Sequence, residues 1–455
     1  MTNSSGSLIK VFPLACLMKV YWLAPLIKGG RGDKACGPSR PFRISLIILC
    51  LLMLVLPVAC DKPESFDDRL DALVEPYRFS ILRWELGHVL ERSHPPADAD
   101  PADPDAYLQP VREYFDLTQQ VWVVEWQINA IASGSRQGDL AERQAELTRL
   151  QDRKSELRPA VEWILGQQIR AAFNQEGIFN PADRLVRLRV PFPPLHFRLA
   201  QPPSVLIVSP RERIESMRDI MVVAEMNLEA REALEAQVDG LGVSSLVEGV
   251  GGFGGTYPAF VADDASLRWT IATIAEEWLH QYLVFTPLGL AYLLDSLGIR
   301  RDYRVATINE TVAGIVTDEI ADQVYSAHYA PKETPAPAPS SPEPTESATP
   351  EPFDFNREMR QIRLRVDDLL AQGQVEEAEQ FMEERRQYLL SEGYYIRKLN
   401  QAYFAFYGTY ADSPTSVSPI GVEIRELRSR STSLLAFLNR TARMTSWQDL
   451  QDSLK

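Results

Sequence analysis

Glu276-Glu277-Trp278-Leu279-His280 lies within residues 265–286, where the spacing of apolar side chains predicts a helix. Leu267, Ile271, Ile274, Trp278, Tyr282 and Phe285 recur at three- and four-residue steps and share one side. At about 100° per residue, Glu276, His280 and Glu277 fall near about 0°, 40° and 100°, with the apolar side centred near about 195°. Three ionisable groups are therefore gathered opposite the main packing stripe. Leu279 and Leu283 flank that arc, so it too is expected to be covered. Two covered carboxylates are costly unless something positive compensates them, and a divalent metal is the economical explanation. The alternative is a partly solvated patch in which His280 merely bonds a carboxylate.

A second segment adds an acid to this arc. Asn309-Glu310 opens the run 308–316, which has helical spacing, with Val312, Ile315, Val316 and Ile320 packing to one side. Glu310 instead shares a stripe with Ala313, Gly314, Thr317 and Ala321. Small residues there let the helix approach another closely and bring a short carboxylate arm within reach. Two other readings remain open: an acid near a helix N-terminus favoured by the macrodipole, and a glycosylation sequon at Asn309-Glu310-Thr311.

Glu277-Trp278-Leu279-His280, followed by Ile308-Asn309-Glu310, resembles the thermolysin-type (gluzincin) zinc metallopeptidases. In that family H-E-x-x-H places two histidine ligands on one helix face with a glutamate base between them, and N-E on a second helix supplies the third ligand. The resemblance implies His280 and Glu310 as ligands, Glu277 as the base that deprotonates zinc-bound water, and peptides or proteins as substrates. The chain departs from the pattern twice. Glu276 stands where the family has its first histidine. Gly314 stands where an aspartate, four residues after the ligand glutamate, would orient a ligand histidine.

Glutamate at i with histidine at i+4 still reaches one ion, so the ligand set becomes Glu276, His280 and Glu310. Relative to two histidines and a glutamate, the added negative charge weakens the Lewis acid and holds the pKa of bound water higher. Harder donors shift preference toward manganese or iron, although the affinity order still favours zinc. A degenerate fold serving as a peptide-binding or scaffolding lipoprotein is the main alternative, and a purely structural envelope protein is another.

Flanking segments extend the resemblance. Residues 254–261 precede the motif helix where such enzymes place an edge strand, so Gly255, Thr256 and Tyr257 are expected to hold extended peptide through backbone hydrogen bonds. The alternative is a glycine-bulged strand without a ligand. Residues 397–410 are similar to a helix in a family of bacterial aminopeptidases. A tyrosine or arginine from it, Tyr403 foremost, is expected to stabilise an oxyanion, against the alternative of a buried core aromatic.

The rest of the chain predicts an α+β, mainly helical protein: a gluzincin-like core with a small sheet, and helical regions at both ends. Residues 65–95 and 105–175 read as helices, separated by Asp/Pro-rich 95–101. Strand patterns follow at 185–190, 196–200, 205–208 and 244–261, with 221–224 ambiguous and 227–238 helical. Residues 331–352, dominated by Pro, Ala, Ser, Thr and Glu, form a linker with too little apolar content to fold. Beyond it come two long helices over 353–411, joined near Gln372-Gly373-Gln374, and a shorter one over about 420–440. The expected organisation is therefore a signal segment 1–59, an N-terminal helical region 60–180, a core 181–330, the linker, and a C-terminal helical region 353–455.

Charge and cysteine placement bear on location. The chain of 455 residues carries a net charge of −15, yet residues 1–59 hold seven Lys/Arg and one Asp. The acidic remainder argues against binding nucleic acid through its own surface. Arg40 and Arg43 precede the apolar run 44–59, and then comes Cys60. This is an export signal, and Val58-Ala59-Cys60 resembles a bacterial lipobox in which Cys60 is lipidated, with Pro57 departing from the usual leucine. An uncleaved signal anchor and a plain signal peptide remain alternatives. The four cysteines are Cys16, Cys36, Cys50 and Cys60, so nothing beyond Cys60 can form a disulfide. The expected location is the outer face of the cytoplasmic membrane.

Overall fold

The computed structural model describes residues 65–88, 93–95, 104–133, 135–183, 189–296, 299–300, 302–330, 353–408, 415 and 418–455. The export segment with Cys60, the linker 331–352 and most of the strand expected at 185–190 lie outside them. Among the described residues, no helix is long and apolar enough to cross a membrane. The protein is mainly helical, and its described residues include two sheets of three strands each.

The N-terminal helices are α1 (Phe66–Val74), α2 (Ile81–His88), α3 (Pro104–Ala132) and α4 (Leu140–Gln175). Ser65 and Asp68 start α1 as a reciprocal capping box. Asp139 starts α4 by accepting from the N–H groups of Ala141 and Glu142, which divides the expected block 105–175 into two helices. β1 (Phe197–Leu199), β2 (Ser204–Pro210), β3 (Arg218–Val222), α5 (Leu228–Asp239), β4 (Val243–Gly249), β5 (Gly252–Phe253) and β6 (Ala259–Val261) follow. The first sheet has the order β1-β6-β5, with β1 and β6 parallel (Phe197 opposite Ala259) and β5 antiparallel on the outside. The second is antiparallel in the order β3-β2-β4.

The motif helix is α6 (Leu267–Leu283), followed by α7 (Pro287–Ser296) and α8 (Tyr303–His328). Ile271, Ile274, Trp278 and Tyr282 are buried as the periodicity requires, as are Leu279 and Leu283 on the flanks of the acidic arc. Phe285 is not: the helix ends before it, and its side chain is exposed against Phe192. The C-terminal helices are α9 (Phe355–Ala371), α10 (Val375–Ser391), α11 (Gln401–Tyr407), α12 (Ile420–Ser429), α13 (Leu434–Thr441) and α14 (Trp447–Leu454). Gly373, at φ +75°, makes the turn between α9 and α10. The helix expected over 420–440 is two, because Ser433 caps a new start by accepting from Ala436 N–H.

One apolar core joins α3, α4, α6, α8 and α12 to α14 with β1 and β6. α6 lies within it, pinned by Trp278, whose indole N–H donates to Pro193 O at 2.8 Å and whose ring meets Phe173 at 4.3 Å. The core also contains an ion pair. Glu162 of α4 accepts from the Arg198 guanidinium and from Leu199 N–H, tying the long helix to β1. Removing one partner strands the other charge in the core. Glu162→Ala is therefore expected to lower unfolding free energy by about 3–5 kcal/mol. In urea unfolding this appears as a lower midpoint at unchanged slope; a midpoint equal to wild type would show the pair to be dispensable.

Candidate metal centre

Two helices build the site. α8 packs along α6 with Val305, Ile308, Val312, Val316 and Ile320 buried between them and the surrounding core. Ala313, Thr317 and Ala321 are buried as the small-residue stripe requires. Gly314 is different: a Cβ placed there would meet nothing within 4 Å. The position where the family has an aspartate therefore faces open space and is not a close-packing glycine. α8 starts at Tyr303, with Asp302 as its cap, so Glu310 lies in the helix interior. That placement removes the N-terminal-acid explanation of Glu310, because the macrodipole acts within the first turn.

The packing brings Glu276, His280 and Glu310 together, with one ligand atom of each within 4.8 Å of the others. His280 Nε2 is 3.5 Å from Glu310 Oε2 and 4.0 Å from Glu276 Oε1. Donors around a tetrahedral ion with bonds of about 2.0–2.2 Å are about 3.4 Å apart, so the arms need to close by no more than about 1.4 Å. The side chains keep 28 % (Glu276), 20 % (His280) and 11 % (Glu310) of their exposure, which leaves a way in for solvent and for a further ligand.

Two further residues orient the donors. His280 Nδ1 is 3.1 Å from Asn309 Oδ1. An Nδ1–H donating to that oxygen turns Nε2 toward the two carboxylates, as a partner behind a metal-binding histidine does. Asn309 is 1 % exposed, and its adjacency to Glu310 was the only trace of this role in the sequence. Tyr292 of α7 bonds Glu310. It is brought there because Gly289 lets α7 fold back against the end of α6: a Cβ at Gly289 would collide with the Leu283 carbonyl. Neither Tyr292 nor Gly289 carries a pattern readable beforehand.

Glu277, 9 % exposed, faces away from solvent under the β5–β6 hairpin. Its carboxylate accepts from Gly254 N–H. A Cβ on Gly252 would collide with Glu277 Oε1, and one on Gly254 would lie 2.6 Å from Oε2. Residues 254–261 are thus not one edge strand. The edge strand beside β6 is β5, and Gly255, Thr256 and Tyr257 form the turn into β6. Backbone groups of Thr256 and Tyr257 are already occupied. Thr256 is fully buried with its hydroxyl donating to Pro258 O at 2.8 Å, and its carbonyl accepts from Gln281 Nε2. Tyr257 N–H donates to Glu85, and a Cβ at Gly255 would press on the Phe253 ring. The glycine run compresses a hairpin onto α6, which accounts for its composition without a bound peptide.

Tyr403 comes from a third helix. It is on α11, packed over the second sheet beside Val205, Ile207 and Leu246, with Tyr407 at 4.5 Å. Burial and then the charge of Glu248 push its hydroxyl up to about 12, and none of the motif carboxylates contributes. Tyr403 is half-buried against that sheet, a placement that suits a core aromatic, and no contact among the described residues joins it to Glu276, Glu277, His280 or Glu310.

Protonation follows from the crowding. Burial pushes Glu276 up to about 7, with Glu310 and Asp318 adding and His280 opposing. Burial pushes Glu277 up to about 8 against the pull of His280. For Glu310 burial is outweighed by His280 and Tyr292, so it stays below the ordinary carboxylate range. Burial alone would lower His280, but Glu310, Glu276 and Glu277 outweigh it and raise it to about 10. A single imidazolium is the positive charge that holds three acids. The donor set, one imidazole nitrogen and two carboxylates, fits a divalent ion taking over that task.

No family model, curated protein or solved structure matches the chain.

An ion entering this cluster must displace the His280 proton and whatever proton Glu276 retains. Metal affinity is therefore expected to rise with pH through neutrality, with roughly one to two protons released per ion at pH 7. Titration calorimetry in buffers of different ionisation enthalpy counts them; binding without proton release would contradict this charge arrangement.

Proposed function

We propose that the protein is a metallopeptidase-like hydrolase with a gluzincin-type site, holding zinc through Glu276, His280 and Glu310. The observation that carries this reading is the convergence of three donors from two helices, with His280 turned by Asn309 so that Nε2 faces both carboxylates. A divalent ion bound there would supply Lewis acidity toward a peptide carbonyl and toward water. Glu277, next to Glu276 on the same helix, accepts the proton of the attacking water and returns it to the leaving amine. Glu310 and Glu276 together keep the centre less electrophilic than one with two histidines. Peptides or proteins are the proposed substrates. Arg40, Arg43, the apolar run 44–59 and Cys60 support export and tethering at the outer face of the cytoplasmic membrane.

A second reading, a peptide-binding scaffold that no longer hydrolyses, is favoured by how closely the hairpin covers Glu277: a side chain added at Gly252 or Gly254 would run into its carboxylate oxygens. Elemental analysis and peptide hydrolysis, measured on the same preparation, separate the two. The hydrolase reading expects near-stoichiometric zinc in the wild type and its loss in His280→Ala. Glu277→Gln should keep the metal and lose about 100-fold or more in rate. Metal retained with no hydrolysis in the wild type selects the scaffold, and zinc unchanged in His280→Ala refutes the site.

A further inference from the structure

The hairpin on Glu277 is held from two sides. From below, Gln281 of α6, next in sequence to His280, donates from Nε2 to Gly254 O at 3.3 Å and to Thr256 O at 3.1 Å. From the other side comes α2, a helix of the N-terminal region almost two hundred residues earlier in the chain. Trp84 Nε1 donates to Pro258 O at 3.3 Å. Its ring stacks on Phe260 of β6 at 3.7 Å, and His88 stacks on its outer face at the same distance. Glu85, 9 % exposed, accepts from Tyr257 N–H at 3.2 Å. Phe79, just before α2, meets the edge of Phe260 at 5.6 Å.

We propose that Trp84 and Glu85 are positioning residues for Glu277, acting through the hairpin that α2 clamps onto the motif helix. The chain of contacts is continuous. α2 fixes Tyr257, Pro258 and Phe260; the short turn transmits that position to Gly254; Gly254 N–H fixes the Glu277 carboxylate. β5 is only two residues long and is paired on one side, so its own ladder cannot hold it in place. The glycines remove every side chain that would space it from α6. A base must be held within a fraction of an ångström of the proton it takes, and misplacement by about 1 Å costs about 100-fold in rate. The clamp explains why an indole and a buried carboxylate outside the core are spent on a five-residue turn.

The role in catalysis rests on the hydrolase reading; the clamp itself does not, and one set of variants tests both. Hydrogen exchange of the full chain is followed at residues 250–257, with α6 and α8 as controls of folding. Trp84→Ala and Glu85→Leu are expected to speed exchange in the turn by about tenfold or more, with the controls and zinc content unchanged. Glu85→Gln keeps an oxygen facing Tyr257 N–H and should restore wild-type exchange. In peptide hydrolysis the two disruptive variants should lower kcat by about 10- to 100-fold with KM little altered, and Glu85→Gln should recover most of it. Unchanged exchange in the turn overturns the clamp. Faster exchange with kcat unchanged or raised overturns the positioning role. A wild type that binds zinc without hydrolysing peptide removes the base assignment of Glu277 instead, while exchange still decides the clamp.

Discussion

Three carboxylates crowd around one histidine between two packed helices, and everything near them answers the cost of that arrangement. Isolated, each buried carboxylate would take up a proton to escape the low dielectric. Here Glu310 escapes by facing His280 and bonding Tyr292, while Glu276 and Glu277 are left with pKa values near or above neutrality. His280 consequently holds its proton far more firmly than an ordinary imidazole. Such a cluster is poorly satisfied by protein alone, since one positive charge is shared among three acids. A divalent cation would resolve the imbalance, and the donor set supports the proposed metal more strongly than proximity does.

The surrounding architecture sets how close the groups come. α6 is pinned by Trp278 to Pro193 and Phe173, and α8 is seated by its aliphatic stripe, so the spacing of His280 and Glu310 is fixed by apolar packing. The polar fine adjustment comes from Asn309 behind His280, Tyr292 behind Glu310 and Gly254 behind Glu277. The family aspartate would occupy Gly314, and that position is open here. With glutamate at 276 no imidazole needs orienting there, so an open position at Gly314 is compatible with the proposed ligand set.

What the sequence disclosed, and what it concealed, follows from the range of the interactions. Helical periodicity is local, so the burial of Ile271, Ile274, Trp278 and Tyr282 and the acidic arc opposite them were readable in advance. Motif spacing placed Glu310 beside His280 because packed helices leave few other arrangements. Residues 254–261 were misread as one strand because alternation and glycine content do not distinguish a strand from a tight hairpin. Phe285 obeyed the period but lay past the end of the helix. Tyr403 lay in a run whose aromatic character fits a core as well as a site. The α2 clamp could not be foreseen, since nothing local in Trp84 or Glu85 points to a turn at residues 254–258.

Glu276, His280 and Glu310 are proposed to bind one metal ion together. X-ray absorption at the zinc edge of the zinc-loaded protein reads that ligand shell. One imidazole nitrogen and at least two oxygen donors are expected at about 2.0–2.2 Å, with the imidazole signal absent in His280→Ala. A shell containing two or more imidazoles, or one unchanged in that variant, would place the metal elsewhere and contradict that ligand set.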